Sequence, residues 1–351
     1  MKRFNQFLLL GTAAIIFLVG CKKDDPSPSP NPTPTPAPIF APADFGFKVV
    51  GYFPSYRTVS AIPDTKFKMT NVVNYAFFTL SGTGLTLNSP TTFTAVIAKC
   101  RANNAKIFMS VNGATADFKN NTSSSITRNA LIKTIMTNVR QYALDGVDID
   151  WEFPSTSDGT DVMFTGLMKE LSDSLHTNGK YYLTAAITPG KYAGSYRDAI
   201  QTAVFSYVDW FNVMVYNDFS TTVPYKHHSD MALVNSCMNY WLTTRAMPAN
   251  KFVLGLPGYG RPSGITQTNT VLTYSAILGQ GGSALSDSAT VTASGYGSPF
   301  TIYYNGQPTI KLKTMLAKQR GNGIMLWEKG QDANDNNSLL KAVCDTIGRP
   351  Y

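Results

Sequence analysis

From residue 45 onward, short apolar runs alternate with longer stretches whose apolar positions recur at three- and four-residue spacing. A bounded run of four to eight apolar residues fits a strand covered on both faces, and the 3.6-residue period fits a helix lying over it. The strands predicted in this way are Lys48–Phe53, Asn71–Phe78, Lys106–Val111, Gly146–Phe153, Tyr181–Thr188, Trp210–Tyr216, Phe252–Gly255 and Gly323–Trp327. Helical spacing falls between them at Thr92–Ala102, Ser125–Ala143, Asp161–His176, Tyr196–Phe205, Met231–Thr244 and Ile310–Gln319, and Ser338–Ile347 closes the series. Val59–Met69 carries the weakest helical pattern. Eight strands joined by crossover helices predict an α/β fold, the (β/α)8 TIM barrel of about 250 residues. About 60 residues separate Arg261 from Gly323, enough for the barrel helix and a small insertion between strands 7 and 8, with Ser288–Ser294 and Phe300–Tyr304 as short strands.

The first 44 residues follow different rules. Lys2 and Arg3 precede an apolar run, Phe7–Val19, that is too short for a membrane span and ends in small residues, the pattern of a signal peptide. Leu18-Val19-Gly20-Cys21 resembles a bacterial lipobox, which implies lipidation of Cys21 and a membrane anchor in the bacterial cell envelope, on the periplasmic side or the cell surface. From Pro26 to Pro38 nearly every second residue is proline, which favours extended chain and a semi-rigid tether. The expected organisation is therefore a signal peptide over 1–20, a lipid-anchored Pro-rich linker over 21–44 and a catalytic barrel over 45–351.

Charge and cysteines narrow the picture further. The formal net charge is +8, and +6 without Lys2 and Arg3. No basic run with interleaved aromatics suggests nucleic acid. With Cys21 lipidated, Cys100, Cys237 and Cys344 are an odd set without a disulfide framework and read as buried free thiols. His227-His228 reads as a solvated loop pair, and nothing in the sequence calls for a cofactor or metal.

The chemistry concentrates in Asp145-Gly146-Val147-Asp148-Ile149-Asp150-Trp151-Glu152. Strand alternation puts Asp148, Asp150 and Glu152 on one face and Val147, Ile149 and Trp151 on the other. Asp150 and Glu152 then have backbones roughly 7 Å apart. Three carboxylates in a low-dielectric interior repel one another and cost several kcal/mol unless protons or hydrogen bonds relieve them. Such a group supplies a proton donor beside a fixed negative charge. Glu152, nearest the strand's end, is the natural acid, with Asp148 and Asp150 sharing a proton beneath it. A metal cage or a satisfied carboxylate network is the other reading, although hard cations also recruit loop oxygens and these acids sit within a strand.

The pattern Asp145-x-x-Asp148-x-Asp150-x-Glu152, followed by Phe153-Pro154, resembles the signature of glycoside hydrolase family 18, the chitinases and endo-β-N-acetylglucosaminidases. Other predicted strand ends are similar to that family. Ser110-Val111-Asn112-Gly113 resembles its Ser-x-Gly-Gly, with Asn112 where the family has glycine; asparagine tolerates left-handed backbone. Met214-Val215-Tyr216-Asn217 resembles its Met-x-Tyr-Asp, with Asn217 in place of Asp. Gly255-Leu256-Pro257-Gly258-Tyr259-Gly260-Arg261 resembles its Gly-x-Pro-x-Tyr-Gly-Arg. Trp327 matches the tryptophan flooring the central sugar subsite, and Tyr52 matches at the mouth. The resemblance covers roughly residues 47–347.

It implies retaining, substrate-assisted hydrolysis of β-1,4-linked N-acetylglucosamine polymers or oligomers, with the substrate's 2-acetamido oxygen as nucleophile. Glu152 would protonate the leaving oxygen, Asp150 would orient the acetamido group, Asp148 would modulate Asp150 and Tyr216 would hold the acetamido oxygen. Trp327, Tyr52, Met214, Asn217, Tyr259 and Arg261 would bind substrate. Asp145 would make a structural contact at the strand start, Trp151 would be core, and Trp210 and Trp241 have no motif support. Chitin or chito-oligosaccharides lead as partners. The alternatives are N-glycan cores, cleaved by an endo-β-N-acetylglucosaminidase, or a glycan-binding lectin without catalysis.

Overall fold

The structure is a computed structural model that describes residues 37–220, 222–263 and 271–351. The chain divides into two units, Met1–Ala37 and Pro38–Tyr351. Of the first unit only Ala37 is described, so the signal peptide, Cys21 and most of the proline-rich linker lie outside the described residues. No helix among the described residues is long and apolar enough to cross a membrane.

The second unit is built on eight parallel strands: β1 (Lys48–Pro54), β2 (Val72–Ser81), β3 (Lys106–Gly113), β4 (Gly146–Asp150), β5 (Tyr182–Ile187), β6 (Trp210–Val213), β7 (Phe252–Pro257) and β8 (Gly323–Trp327). Each pairs with its sequence neighbours, and β1 pairs with both β2 and β8, so the sheet closes into the predicted (β/α)8 barrel. The alternation read from the sequence holds. Val147, Ile149 and Trp151 face the outer core under the helices, where Trp151 stacks on Phe118 at 4.5 Å. Asp148 and Asp150 face inward, in register with Ser110 and Asn112 of β3.

The N-terminal end of the barrel is closed by packing. Phe45 stands edge-on to Tyr182 and Trp210 at 5.4 and 5.8 Å, and the ammonium groups of Lys48 and Lys106 lie 5.6 and 5.2 Å from its ring. Trp210, without a motif to explain it, is part of this floor. The segment leading to Phe45 is pinned: Phe40 N donates to His176 O at 3.1 Å, and Asn178 N to Pro38 O at 2.8 Å. Three residues that precede strands share one device. Asn71, Asp145 and Asp209 each accept, through a side-chain oxygen, the backbone N–H of Val49, Ile107 and Leu183 on the neighbouring strand, at 2.7 to 2.8 Å. Asp145 also pairs with Arg101, the structural contact expected of it.

Several expectations need correction. β4 ends at Asp150, so Glu152 stands in the loop beyond it rather than in a strand reaching Phe153. Asn112 lies inside β3 without left-handed backbone; Asn217 adopts that conformation instead, with φ of 66°. The helix expected over Tyr196–Phe205 is two short ones, Ser195–Asp198 and Val204–Tyr207, separated by the non-helical stretch 199–203. Met231–Met238 continues as a π-helical turn, Asn239–Thr244, that seats Trp241 in the core. Val59–Met69 is a 3-10 turn, Val59–Ala61, and a helix, Asp64–Met69.

The insertion before β8 is an antiparallel sheet of Leu272–Thr273, Tyr259–Pro262, Phe300–Tyr303 and Ser288–Val291, in that order, with the helix Tyr274–Gly279 against it. It is the small module expected from the spacing. Cys100, Cys237 and Cys344 are free and buried, and burial pushes each thiol up to about 12.

Candidate active site

The carboxyl ends of the strands meet around a cavity of about 470 Å³ lined by Tyr52, Asp150, Glu152, Ala186, Met214, Tyr216, Asn217, Tyr259, Met325 and Trp327. Eight of these ten were anticipated from the sequence. Two others behave differently: Asp148 lies one layer below, and Arg261 stands outside the lining, its guanidinium over the Phe219 ring at 4.5 Å.

Asp148 is fully buried and fully satisfied. Its Oδ2 accepts from Tyr52 Oη at 2.7 Å and Ser110 Oγ at 2.8 Å; its Oδ1 accepts from Thr184 Oγ1 at 2.5 Å and Asn212 Nδ2 at 3.1 Å. Burial raises its pKa, and these four donors oppose that rise. Four hydrogen bonds to a carboxylate favour the charged form, so they offset part of the burial and suit Asp148 to hold a negative charge. No proton is shared between Asp148 and Asp150 in this arrangement, contrary to expectation.

The shared proton belongs higher up. Asp150 is buried and hydrogen-bonded to Glu152, with its other oxygen, Oδ1, left without a partner. Desolvation first, and then the charges of Glu152 and Asp148, hold the Asp150 carboxyl well above the ordinary carboxylate range. Glu152 is raised too, chiefly by burial, while its bond to Asp150 pulls the other way. Two carboxyls in contact cannot both ionise at ordinary cost, which favours holding one proton between them.

The walls are set by the other strand ends. Tyr216 follows β6 and is nine-tenths buried, and burial holds its phenol in the protonated, donating state. It approaches the barrel because Gly255 has no side chain: a Cβ there would lie 3.2 Å from the Tyr216 ring and 2.4 Å from Val213 O. Tyr259 donates from its hydroxyl to Asn217 Oδ1 at 2.7 Å and meets the Tyr216 ring edge-on at 6.1 Å. Trp327 ends β8, half-exposed to the cavity, and rests on Phe77 at 5.9 Å and Tyr52 at 5.3 Å. An aromatic face so fixed suits the apolar face of a sugar ring.

Sequence reasoning missed part of this site. Thr184, Asn212, Ala186 and Met325 are single residues without a motif; their only signal is strand parity, which turns Thr184 and Asn212 onto Asp148 and Ala186 and Met325 into the cavity. His227 and His228 are corrected outright. His228 is completely buried and His227 mostly so, their rings parallel at 5.4 Å and packed under Tyr259, because the loop after β6 folds down onto the insertion. Past Glu152, Phe153, Tyr192 and Tyr196 line further grooves on the same cleft. Among the described residues no cluster of ligating side chains suits a metal ion.

A barrel whose strand ends gather buried acids, tyrosines and an exposed indole is the architecture of a sugar-cleaving enzyme. The family model for glycosyl hydrolases family 18 matches residues 48–332, and the chain belongs to that family. Chitinase 63 of Streptomyces plicatus is 28% identical over 234 residues, 57% of this chain but only 38% of that protein's length. The class V chitinase of Arabidopsis thaliana is 26% identical over 294 residues, covering 72% of this chain and 75% of its own. Among solved structures, the chitinase ChiB from the chitin utilization locus of Flavobacterium johnsoniae is 27% identical. It superposes with a TM-score of 0.70 over 86% of this chain and 94% of that one.

Proposed function

We propose that this chain is a retaining chitinase that cleaves β-1,4-linked N-acetylglucosamine chains with the substrate's own acetamido oxygen as nucleophile. The supporting observation is the placement of the acids. The only carboxyls among the described residues lining the central cavity are Asp150 and Glu152, successive on one strand end and hydrogen-bonded to each other. Conventional retaining pairs stand about 5 to 5.5 Å apart, and inverting pairs about 6.5 to 9.5 Å, across the scissile bond. A pair in direct contact fits neither geometry. It fits a site that donates one proton and steadies one cation, leaving attack to a group the substrate brings.

The roles follow from the surroundings. Glu152, raised by burial, stays protonated to a higher pH than a free carboxyl and gives its proton to the leaving oxygen. Asp150, relieved of its shared proton at that moment, accepts the acetamido N–H and balances the oxazolinium charge, with Asp148 as the fixed charge beneath. Tyr216 donates to the acetamido oxygen, and Trp327 carries the sugar face. Intramolecular attack brings an effective molarity on the order of 10⁵ M or more. The relatives' names support chitin over N-glycan cores, and the intact acids support an enzyme over a lectin.

Hydrolysis of a chromogenic chitobioside, with proton NMR of the fresh product, tests the reading. The first product should be the β anomer, and cello-oligosaccharides, which lack the acetamido group, should be nearly inert. An α anomer or comparable cellulose cleavage refutes it. The lipid anchor is a separate proposal resting on Leu18–Cys21. Cys21→Ser should move a fully active enzyme out of the membrane fraction, and retention of the variant there would refute it.

A further inference from the structure

The loop after β6 carries a left-handed residue, Asn217, next to the Tyr216 assigned to the substrate. Asparagine tolerates left-handed backbone better than most residues, and specific contacts fix this one in place. His228 holds it from two sides. Its ring Nδ1 accepts the N–H of Asn217 at 3.3 Å, and its carbonyl accepts the N–H of Asp218 at 2.9 Å. Its ring also lies against Tyr259 at 5.3 Å, and Tyr259 in turn donates to the Asn217 amide. Tyr216 and Asn217 both line the cavity with Glu152.

We propose that His228 is a positioning residue whose neutral imidazole keeps the Tyr216–Asn217 turn in place beside Glu152, and whose protonation releases that turn and sets an acid limit on activity. The proposal rests on the role given to Glu152 and Tyr216 above. Geometry supplies the switch. Because Nδ1 accepts a backbone N–H, the ring's single proton is on Nε2. His227 is used in the same way: its Nδ1 accepts Ser229 N–H at 2.9 Å, which leaves Nε2–H to donate to Tyr304 O. A second proton on His228 would set one N–H against another inside a fully buried site.

Only a hydrogen bond to the Tyr259 backbone favours a cation here; burial and the neighbouring charges oppose it. The charged or titratable groups facing His228 are His227 in its own loop, Arg261 and Tyr259 on the strand Tyr259–Pro262, and Lys313 on the helix Gln307–Arg320. None is a carboxylate; Asp230 and Asp287 bear on His227 instead. Burial first, and then His227, Lys313 and Arg261, hold His228 well below the usual histidine range. The sign follows: with the folded pKa depressed, the arrangement is stable above about pH 6.5 and loses stability as pH falls below that value, where an unfolded histidine takes up its proton.

The chain has three histidines, so nitrogen-detected NMR of labelled protein can follow each. His228 should show the Nε2–H tautomer at neutral pH and titrate reversibly in folded protein. The amide signals of Tyr216 and Asn217 should shift with the same midpoint, as should the acid limb of kcat on a chromogenic chitobioside. His228→Asn keeps a non-titrating oxygen near the Nδ1 position. It should hold neutral-pH kcat within about tenfold and move the acid limb down by about a pH unit or more, with KM little changed. His228→Leu should lower kcat at every pH. An Nδ1–H tautomer, still amides at 216 and 217 during the titration, or an unmoved limb in His228→Asn overturns the proposal. If His228→Asn does not fold, the wild-type midpoints decide alone. A chain inert on chitobioside refutes the proposed function, and the amide signals still report on the clamp.

Discussion

The two ends of this barrel place carboxylates in opposite circumstances. At the closed end, Asp145 and Asp209 each take a backbone N–H from the neighbouring strand and a second donor, Arg101 or His176, at 2.7 to 3.0 Å. At the open end, Asp150 leaves one buried oxygen unpartnered and presses against Glu152. The same residue type, on the same sheet, is an anchor at one end and a source of tension at the other. Anchors hold the strands in register, whereas tension keeps a proton available where a substrate can use it. Stability and activity should therefore respond to mutation at different ends.

The largest expected effect is at the open end. Glu152→Gln removes the donated proton while preserving shape, and kcat should fall by about 10² to 10⁴ without loss of oligosaccharide binding or fold. Calorimetric titration with chito-oligosaccharide beside the kinetic assay checks both halves. At the closed end the pattern should invert. Asp209→Ala strands the Leu183 N–H and the His176 ring, for a loss of about 1 to 3 kcal/mol in stability, with kcat/KM at permissive temperature unchanged. Denaturant melts read this directly, and a parallel loss of kcat/KM would break the division.

A pH experiment sharpens the contrast. Burial raises the Asp150 carboxyl above its unfolded value, near 3.9, so the folded state binds more protons than the unfolded state between those two values. Stability then falls as pH rises through that window. Asp150→Asn should consequently raise the melting temperature at pH 7 but not below pH 4, while activity drops. Equal melting temperatures at both pH values would show that the open end carries no such tension.

The smallest effect concerns Asn217. Its amide oxygen already accepts from Tyr259, and an aspartate can keep that bond while adding charge near Glu152. Asn217→Asp should move the alkaline limb of the pH-rate profile upward, because a neighbouring negative charge favours the protonated acid. A stationary limb would place position 217 outside the acid's electrostatic reach.

What was legible beforehand divides in the same way. Strand parity placed Asp148, Asp150 and Trp151 correctly because alternation is a local property of the chain. The eight-strand pattern was equally local. Parity did not reveal which acids pair. Asp148 is occupied by Tyr52, Ser110, Thr184 and Asn212, which come from four other strands, and their convergence depends on closure of the sheet. His227 and His228 were misread for a similar reason: nothing within ten residues shows that an insertion far along the chain will cover them. Phe45, the first residue of the expected barrel, closes its floor from outside any predicted strand or helix.

The pinned segment has a practical side. Pro38 and Phe40 are fastened to the turn around His176–Asn178, and near the other terminus Arg349 donates to the carbonyl oxygens of Lys68 and Met69, just ahead of β2. Both ends of the barrel unit thus leave from the side away from Trp327 and Glu152. A bead or a binding module joined at Pro38 or Arg349 of the barrel unit would therefore be coupled on the side opposite the cleft.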